Sequence, residues 1–151
     1  MEILTADTFE KARKQIHKSK PPIIFTSEDD ELNRKILEKE NINILLLNQK
    51  NRRDFMKQRN SGLNQVLAKE AKRNRVAIGI NLNEIIESTG KEKSKILARI
   101  KQNVKLCNKH KLKMQFLSPS QKHRRDKFEL RALGQTLGMP TWMTKNLELN
   151  D

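Results

Sequence analysis

The sequence predicts an α/β fold built from parallel βα units, with about four strands and flanking helices. Four short apolar runs are continuous rather than alternating, which is typical of strands that are covered on both faces. Segments with helical spacing of apolar residues separate these runs, and such alternation favours a parallel sheet with right-handed connections. Four βα units amount to half of an eight-stranded barrel, so the pattern allows either a small open sheet or a partial barrel.

The elements follow from local patterns, taken in chain order. The first helix is expected to begin behind a cap at Thr5 or Asp7. The predicted strands are PIIFT at 22–26, INILLL at 42–47, VAIGINL at 76–82 and LKMQFL at 112–117. The predicted helices are 7–18, 29–39, 61–73, 91–109, 127–137 and 140–147.

Two helices have clear apolar stripes with which they should pack on the sheet. In the helix at 61–73, the residues predicted to be buried are Leu63, Val66, Leu67 and Ala71. In the helix at 91–109 they are Ile96, Leu97, Ile100, Val104 and Cys107. The opposite arc of this second helix is predicted to be a solvated outer face, formed by Lys95, Arg99, Lys101, Lys105 and Lys109.

Length and charge limit the classes of function. A chain of 151 residues suits a single domain, 1–151, and a formal net charge of +14 favours polyanions, nucleic acid before an anionic membrane surface. No apolar stretch approaches the ~20 residues of a membrane span, and the N-terminus lacks the apolar region of a signal peptide. The single cysteine, Cys107, fits a reducing compartment. We therefore expect an intracellular, cytoplasmic protein, or a nuclear one if the source is eukaryotic.

Loops that leave the carboxyl ends of parallel strands share one edge, which usually carries function. Two of them, at 48–60 and 118–127, are basic, and the first leads into a helix that Ser61 and Gly62 are expected to open with free N–H groups. We predict one site for a phosphate backbone; the competing interpretation is two solvated, mobile loops. The candidate residues are Lys50, Arg52, Arg53, Lys57, Arg59, Ser61, Gly62, Lys122, Arg124, Arg125 and Lys127.

Arg59 should lie beside the start of the helix at 61–73, and Arg124 and Arg125 should approach it from the neighbouring loop. The alternative is an internal ion pair between Arg59 and the acidic loop TSEDDE at 26–31. That acidic loop allows a magnesium site, but a helix cap with carboxylates at the positive end of the helix dipole is the expected role.

The residues suggest no catalytic site, metal site or cofactor. The three histidines lack metal-ligand spacing, and there is no glycine-rich phosphate loop, CxxC pair or Ser-His-Asp grouping. Aromatic residues make up 4% of the chain, so a platform for base stacking is not expected either. What remains is recognition of phosphate and shape.

One segment resembles a known family. NSGLNQVLAKEAKRNRVAIGINL at 60–82, with Arg59 before it, resembles the signature of ribonuclease P protein component 3, in which a short turn opens a helix that leads into a strand. DDELNRKILEKENINILLL at 29–47 resembles an upstream helix and strand of that family. Ser118 and LRALGQTLGM at 130–139 resemble its last βα unit. The resemblance covers most of residues 20–140.

The resemblance implies a partial or truncated TIM-like barrel, related to metal-dependent phosphoesterases but without their metal site. It further implies a non-catalytic subunit of an endoribonuclease holoenzyme, in which the RNA subunit cleaves precursor transfer RNA at the 5′ side. The implied partners are ribonuclease P RNA, precursor transfer RNA and a small α+β protein subunit, and a dimer of that heterodimer is one assembly it allows. No membrane partner and no cofactor are implied.

The chain departs from the family pattern in a few places. Asn60 and Gln65 replace an aspartate and a histidine, and Glu70 falls inside an apolar arc. The pattern predicts none of the strands that usually precede PIIFT in the family, so we expect an open sheet edge near 22–26 to be covered by the N-terminal helix or by another chain. Two other readings stay open: a general RNA-binding or ribosome-associated α/β protein, and a small phosphoesterase with Glu28, Asp29 and Asp30 as metal ligands.

Overall fold

The sheet of the protein has five parallel strands that are arranged in the order of the chain. The structure, a computed structural model, describes residues 2–148. The strands are β1 (Ile3–Leu4), β2 (Ile24–Phe25), β3 (Ile44–Leu47), β4 (Ala77–Asn81) and β5 (Met114–Leu117), each hydrogen-bonded to the next. Each βα unit adds its strand on the same side as the last one, which is how a TIM-type barrel grows. The predicted α/β architecture is confirmed as an open, partial barrel.

One strand was not among the four predicted. β1 has only two residues and lies parallel to β2, where Leu4 accepts a hydrogen bond from the Thr26 amide at 2.9 Å. A two-residue strand is too short to give an apolar pattern. β1 also covers the edge of β2, so this edge is covered by a strand and not by the first helix as expected.

Within residues 2–148, six α-helices connect and cover the strands. They are α1 (Phe9–Lys18), α2 (Asp30–Lys39), α3 (Gln65–Arg73), α4 (Leu82–Glu87), α5 (Gly90–His110) and α6 (Lys127–Thr136). Five of them begin at a side chain that accepts a backbone N–H of the first turn, which satisfies a group that the helix leaves unpaired. These capping residues are Thr8, Asp29, Asn64, Asn81 and Asp126.

Several predicted helix boundaries were wrong. α1 is capped by Thr8 rather than by Thr5 or Asp7. α4 was not predicted, because the apolar run of β4 continues into it and only the Asn81 cap separates them. The predicted helix at 140–147 contains a single 3₁₀ turn, Thr141–Thr144, and its apolar side chains are buried without a helix. No helix in the described part of the chain is long and apolar enough to span a membrane.

The main core lies between the sheet and the helices. Leu45 and Leu47 of β3 face this layer, and Leu67 of α3 and Ile96 of α5 pack in it. Ile44 and Leu46 point to the other face, where Ile24 and Leu117 complete a small second cluster. Burial on both faces explains why the strands are continuous apolar runs.

A glycine lets the second cluster close. A Cβ on Gly79 of β4 would lie 3.0 Å from both the Ile44 Cγ2 and the Leu117 Cδ1 atoms. The side chains of the two strands that flank β4 therefore meet above Gly79. The contact between the Ile44 and Leu117 side chains covers the face of the open sheet that is turned away from the helices.

α3 differs from its predicted packing at two residues. Leu67, Ala68 and Ala71 are buried, but Val66 is 55% exposed because the helix starts at Gln65 and turns this side chain outward. Glu70, which falls inside the apolar arc, pairs with Arg73 at 3.2 Å and so keeps its carboxylate out of the core. Val66 therefore does not hold α3 onto the sheet.

Candidate nucleic-acid interface

The long loop after β3 is fixed to α5 by a buried arginine. Arg99 is 4% exposed, and its Nε atom donates to Asp54 Oδ1 at 3.0 Å. Its Nη1 and Nη2 atoms donate to the carbonyls of Gln49 and Arg52 at 2.9 and 2.8 Å. The prediction that Arg99 belongs to a solvated outer face was wrong. One guanidinium ties three points of the loop to the helix, as its rigid fork of donors permits.

The tip of this loop is a closed turn. Asp54 accepts the amide of Asn60 at 3.0 Å, and the amide of Phe55 donates to the carbonyl of Gln58 at 2.9 Å. The hydrogen bond from Arg99, together with that from the Asn60 amide, holds the pKa of Asp54 below its usual value. Residues 55–59 are therefore presented from a loop whose two ends are joined.

Ser61 and Gly62 lie inside the hydrogen-bond network of the loop. The Ser61 carbonyl accepts from Gln49 Nε2 at 2.9 Å and from Asn103 Nδ2 at 3.1 Å. Gly62 has a φ of 79°, and a Cβ there would lie 2.6 Å from a guanidinium nitrogen of Arg52. These two residues do not open α3, which begins at Gln65 behind the Asn64 cap.

Arg52 is also used within the loop. Its side chain is 10% exposed, its Nη1 lies 3.1 Å from Asp30 Oδ2, and its Nε donates to the Asn48 carbonyl at 2.6 Å. The predicted internal ion pair with the acidic loop is therefore made by Arg52, whereas Arg59 is exposed. Asp29 is the cap of α2, as expected.

The acidic loop offers no assembled metal site. Asp29 and Asp30 are engaged as a cap and as an ion-pair partner, and Glu28 is exposed. Over residues 2–148, no group of three or more His, Cys, Asp or Glu side chains is placed to hold a metal ion.

A cleft of about 690 Å³ lies at the carboxyl ends of the strands, where parallel βα proteins usually bind ligands. The predicted site residues Lys50, Arg52 and Arg53 line it, but so do acidic side chains from α4, α5 and the acidic loop. Glu84 accepts the amides of Gln49 and Lys50 at 2.7 and 2.9 Å, which fixes the start of the long loop. The mixed charge makes this cleft a poor match for a polyanion. The acidic residues of the cleft are Glu28, Asp30, Glu84, Glu87 and Glu92.

A second depression is more basic. It runs between the tip of the long loop, the start of α3 and the outer side of α5, and we call it the basic groove. Lysines of α5 that were predicted to be only a solvated face form one of its walls. Arg59 lines the same depression as Asn64 and Gln65, which form the start of α3. The cationic residues of the basic groove are Arg34, Lys57, Arg59, Lys101, Lys105 and Lys109.

The second predicted cluster lies elsewhere. Lys122, Arg124, Arg125 and Lys127 are exposed around the 3₁₀ turn Gln121–His123 and the start of α6, and none of them lines the basic groove. His123 of this turn contacts Glu87 of α4 at 2.9 Å, so the cluster is tied to the rim of the mixed cleft. The two basic loops thus leave the same edge of the sheet but do not converge on one groove.

Sequence reasoning missed the basic groove because its walls are distant in the chain. The loop that carries Arg59 and the helix that carries Lys101 and Lys105 are brought together by Arg99 and by Gln102, whose Nε2 donates to the Arg59 carbonyl at 3.0 Å. The one sequence signal for this contact between the loop and α5 was the position of Arg99 next to the apolar stripe of the helix, which indicates a buried side chain.

Comparison with known proteins supports the resemblance that the sequence motifs suggested. A protein of a Methanococcus maripaludis strain, named ribonuclease P protein component 3, is 33% identical over 101 residues, which are 67% of this chain and 41% of that protein. Proteins with the same name from Methanosarcina mazei and Methanosarcina barkeri are 39% identical over 88 residues and 30% identical over 125 residues. They are covered to 34% and 48% of their lengths, so the chain spans less than half of each of these relatives. No protein-family model matches the chain.

A solved structure shares the fold. A chain of the cryo-EM structure of archaeal ribonuclease P with mature tRNA superposes with a TM-score of 0.79 at 23% identity. The match covers 95% of this chain and 62% of that one. The homology to ribonuclease P protein component 3 rests on the curated relatives, and the solved structure shows that the α/β fold is shared.

Proposed function

We propose that this homologue of ribonuclease P protein component 3 is a non-catalytic, RNA-binding protein subunit of ribonuclease P. In this role it assists the maturation of the 5′ end of precursor transfer RNA by a catalytic RNA. The observation that carries the proposal is that the curated relatives share this name at 30–39% identity. The chain matches only part of those proteins, so the role is proposed for it and not transferred as a fact.

The basic groove is the surface that would contact RNA. Its arginine and lysine side chains are exposed, and the loop that carries two of them is held in place by Arg99. A groove with fixed cations recognises phosphates by position and not by base sequence. If about four to six phosphates are neutralised, the logarithm of affinity should fall with the logarithm of salt concentration at a slope of a few units.

The predicted cluster at 122–127 would be a second, separate RNA contact. Its exposed cations do not line the basic groove, so they would touch another phosphate stretch of a large RNA. The other partners in this proposal are a small α+β protein subunit and, as a larger assembly, a dimer of that heterodimer.

The test compares two triple variants of the 151-residue chain. Arg59→Ala/Lys101→Ala/Lys105→Ala removes cations from the basic groove, whereas Lys11→Ala/Lys14→Ala/Lys18→Ala removes the same charge from the exposed side of α1. Binding to ribonuclease P RNA is measured by filter retention across a salt series. Cleavage of precursor transfer RNA is measured in a holoenzyme reconstituted with the RNA and its other protein subunits.

We expect the groove variant to reduce the salt slope by about three and to lose cleavage support, while the α1 variant keeps both near wild type. Equal effects of the two variants would refute the groove as the RNA surface. RNA binding without any support of cleavage would refute the ribonuclease P role and favour a general RNA-binding protein. Chelator-sensitive phosphodiester hydrolysis by the chain without RNA would instead favour the phosphoesterase.

A further inference from the structure

Two large apolar side chains stand in the middle of the basic groove. Phe55 is 58% exposed and Met56 is fully exposed, both on the closed tip of the long loop. Phe55 lines the half of the groove next to α3 and also the half next to α5, so its ring lies on the ridge between them. Apolar residues that are exposed singly are common, but this pair projects from a loop rich in cations.

The tip is held in place and is therefore not a frayed segment with an accidental exposure. The Asp54 carboxylate accepts hydrogen bonds from the Asn60 amide and the Arg99 guanidinium, at 3.0 Å each. The Phe55 amide donates to the Gln58 carbonyl and so closes the turn. Gln102 holds the carbonyl of Arg59 at 3.0 Å. Holding an exposed aromatic residue in one position lowers the entropy that is lost when a ligand contacts it.

We infer that Phe55 stacks on an unpaired nucleobase of the bound RNA. The inference rests on the proposed function and gives it a chemical detail. The cations that line the same depression as Phe55 suit the phosphates that flank such a base; they are Lys57, Arg59, Lys101 and Lys105. Aromatic stacking beside a positive groove is how proteins bind unpaired nucleotides without reading their sequence.

The charge around the ring decides between RNA and a protein partner. An apolar patch for protein docking is usually depleted of charged residues at its centre, lysine in particular. Six cationic side chains line the groove together with Phe55. Of the three carboxylates that also line it, Asp54 is paired with Arg99 and Asp30 with Arg52, and Glu31 lies in the first turn of α2. The surface therefore complements a polyanion that offers a flat apolar group.

The chain contains a matched control. Phe128 on α6 is 64% exposed, and its ring is flanked by its own cations, with Lys127 Nζ at 5.2 Å and Arg131 Cζ at 6.0 Å from the centroid. Phe128 is not among the residues that line the basic groove. Phe128→Ala removes an equally large exposed ring from a basic surface that is not part of this site.

The experiment uses two RNA duplexes that differ in one unpaired nucleotide. Fluorescence anisotropy measures the affinity of the 151-residue chain for a duplex with a single-nucleotide bulge and for the same duplex fully paired. Phe55→Ala should weaken binding of the bulged RNA about 10-fold and leave the paired RNA within about two-fold. Phe55→Trp should keep the wild-type preference, and Phe55→Leu should behave like the alanine variant. Phe128→Ala, whose ring lies beside Lys127 of the second RNA contact, should leave the ratio of the two affinities unchanged.

A second readout reports the contact itself. With 5-iodouridine in the bulge, ultraviolet light should crosslink the RNA to Phe55, as identified by mass spectrometry. Equal losses for both duplexes in Phe55→Ala, wild-type behaviour of Phe55→Leu, or a crosslink elsewhere would overturn the stacking and leave the proposed function standing. A wild-type chain that binds neither RNA would refute the RNA-binding function as well.

Discussion

Replacing Arg99 with methionine should both destabilise the protein and open the loop after β3. Methionine keeps the apolar stem of the side chain but removes three hydrogen bonds, to Asp54 and to the carbonyls of Gln49 and Arg52. Removing one partner of a buried ion pair typically costs about 3–5 kcal/mol. Asp54 keeps 28% exposure and can turn towards water, which places the loss near the lower end of this range.

The assay is urea unfolding of the wild type, Arg99→Met and a control on the same helix. The control is Lys95→Met, because Lys95 is exposed on α5 and lines neither the mixed cleft nor the basic groove. A loss of about 3 kcal/mol with a slope of about 1–3 kcal/mol per molar urea moves the midpoint down by roughly 1–3 M. Lys95→Met should stay within about 0.5 kcal/mol of wild type.

The pair with Asp54 can be isolated with a double-mutant cycle. Asp54→Ala combined with Arg99→Met should cost less than the sum of the two single changes, with a coupling energy of about 0.5–3 kcal/mol. Arg99→Lys should be intermediate, because an ammonium keeps the charge but cannot reach three separate acceptors in one plane. An Arg99→Met midpoint equal to that of Lys95→Met, or additive effects in the cycle, would refute the view that Arg99 fixes the loop.

Three further outcomes follow from the same structure. Leu67→Ala, in the core, should cost about 2–5 kcal/mol in thermal or urea unfolding, whereas the exposed Val66→Ala should cost under about 0.5 kcal/mol. Burial raises the pKa of Cys107 to about 12, so a thiol reagent should label it at neutral pH only as fast as the chain opens; rapid labelling of the native protein would contradict this. The lowered pKa of Asp54 contributes stability that is present at neutral pH and lost in acid, so wild type should lose more stability than Asp54→Asn as pH falls from about 5 to about 3, and parallel losses would argue against it.

The sheet could be predicted from sequence because its signal is local. A strand such as β3, ILLL between polar segments, is apolar at each position since both of its faces are covered. β1 gave no such signal because two residues cannot form a pattern, and α4 was hidden because the apolar residues of β4 and α4 follow one another directly. The boundary is set by the Asn81 side chain, whose capping hydrogen bond depends on the backbone geometry at that point.

The candidate site could be predicted only in part. Basic residues at 48–60 were evident, and Arg59 lines the same depression as the start of α3. Which cations face one another depends on contacts over long sequence distances, such as that between Arg99 and Asp54, 45 residues apart. Arg99 is only about 60° from Ile96 around α5 at 100° per residue, so a stricter reading of the helical wheel would have placed it at the edge of the buried stripe.

The polar network under the loop is best understood as a device for specifying one conformation. An apolar core at this position could be equally stable, since a buried ion pair is often no better than well-packed hydrophobic residues. Apolar contacts, however, would not distinguish one backbone arrangement of residues 49–61 from another, whereas Arg99, Gln49 and Asn103 each bind a particular carbonyl. If this view is right, the affinity of the basic groove for RNA depends on side chains that never touch RNA. Arg99→Met should then weaken RNA binding although every cation that lines the groove is still present.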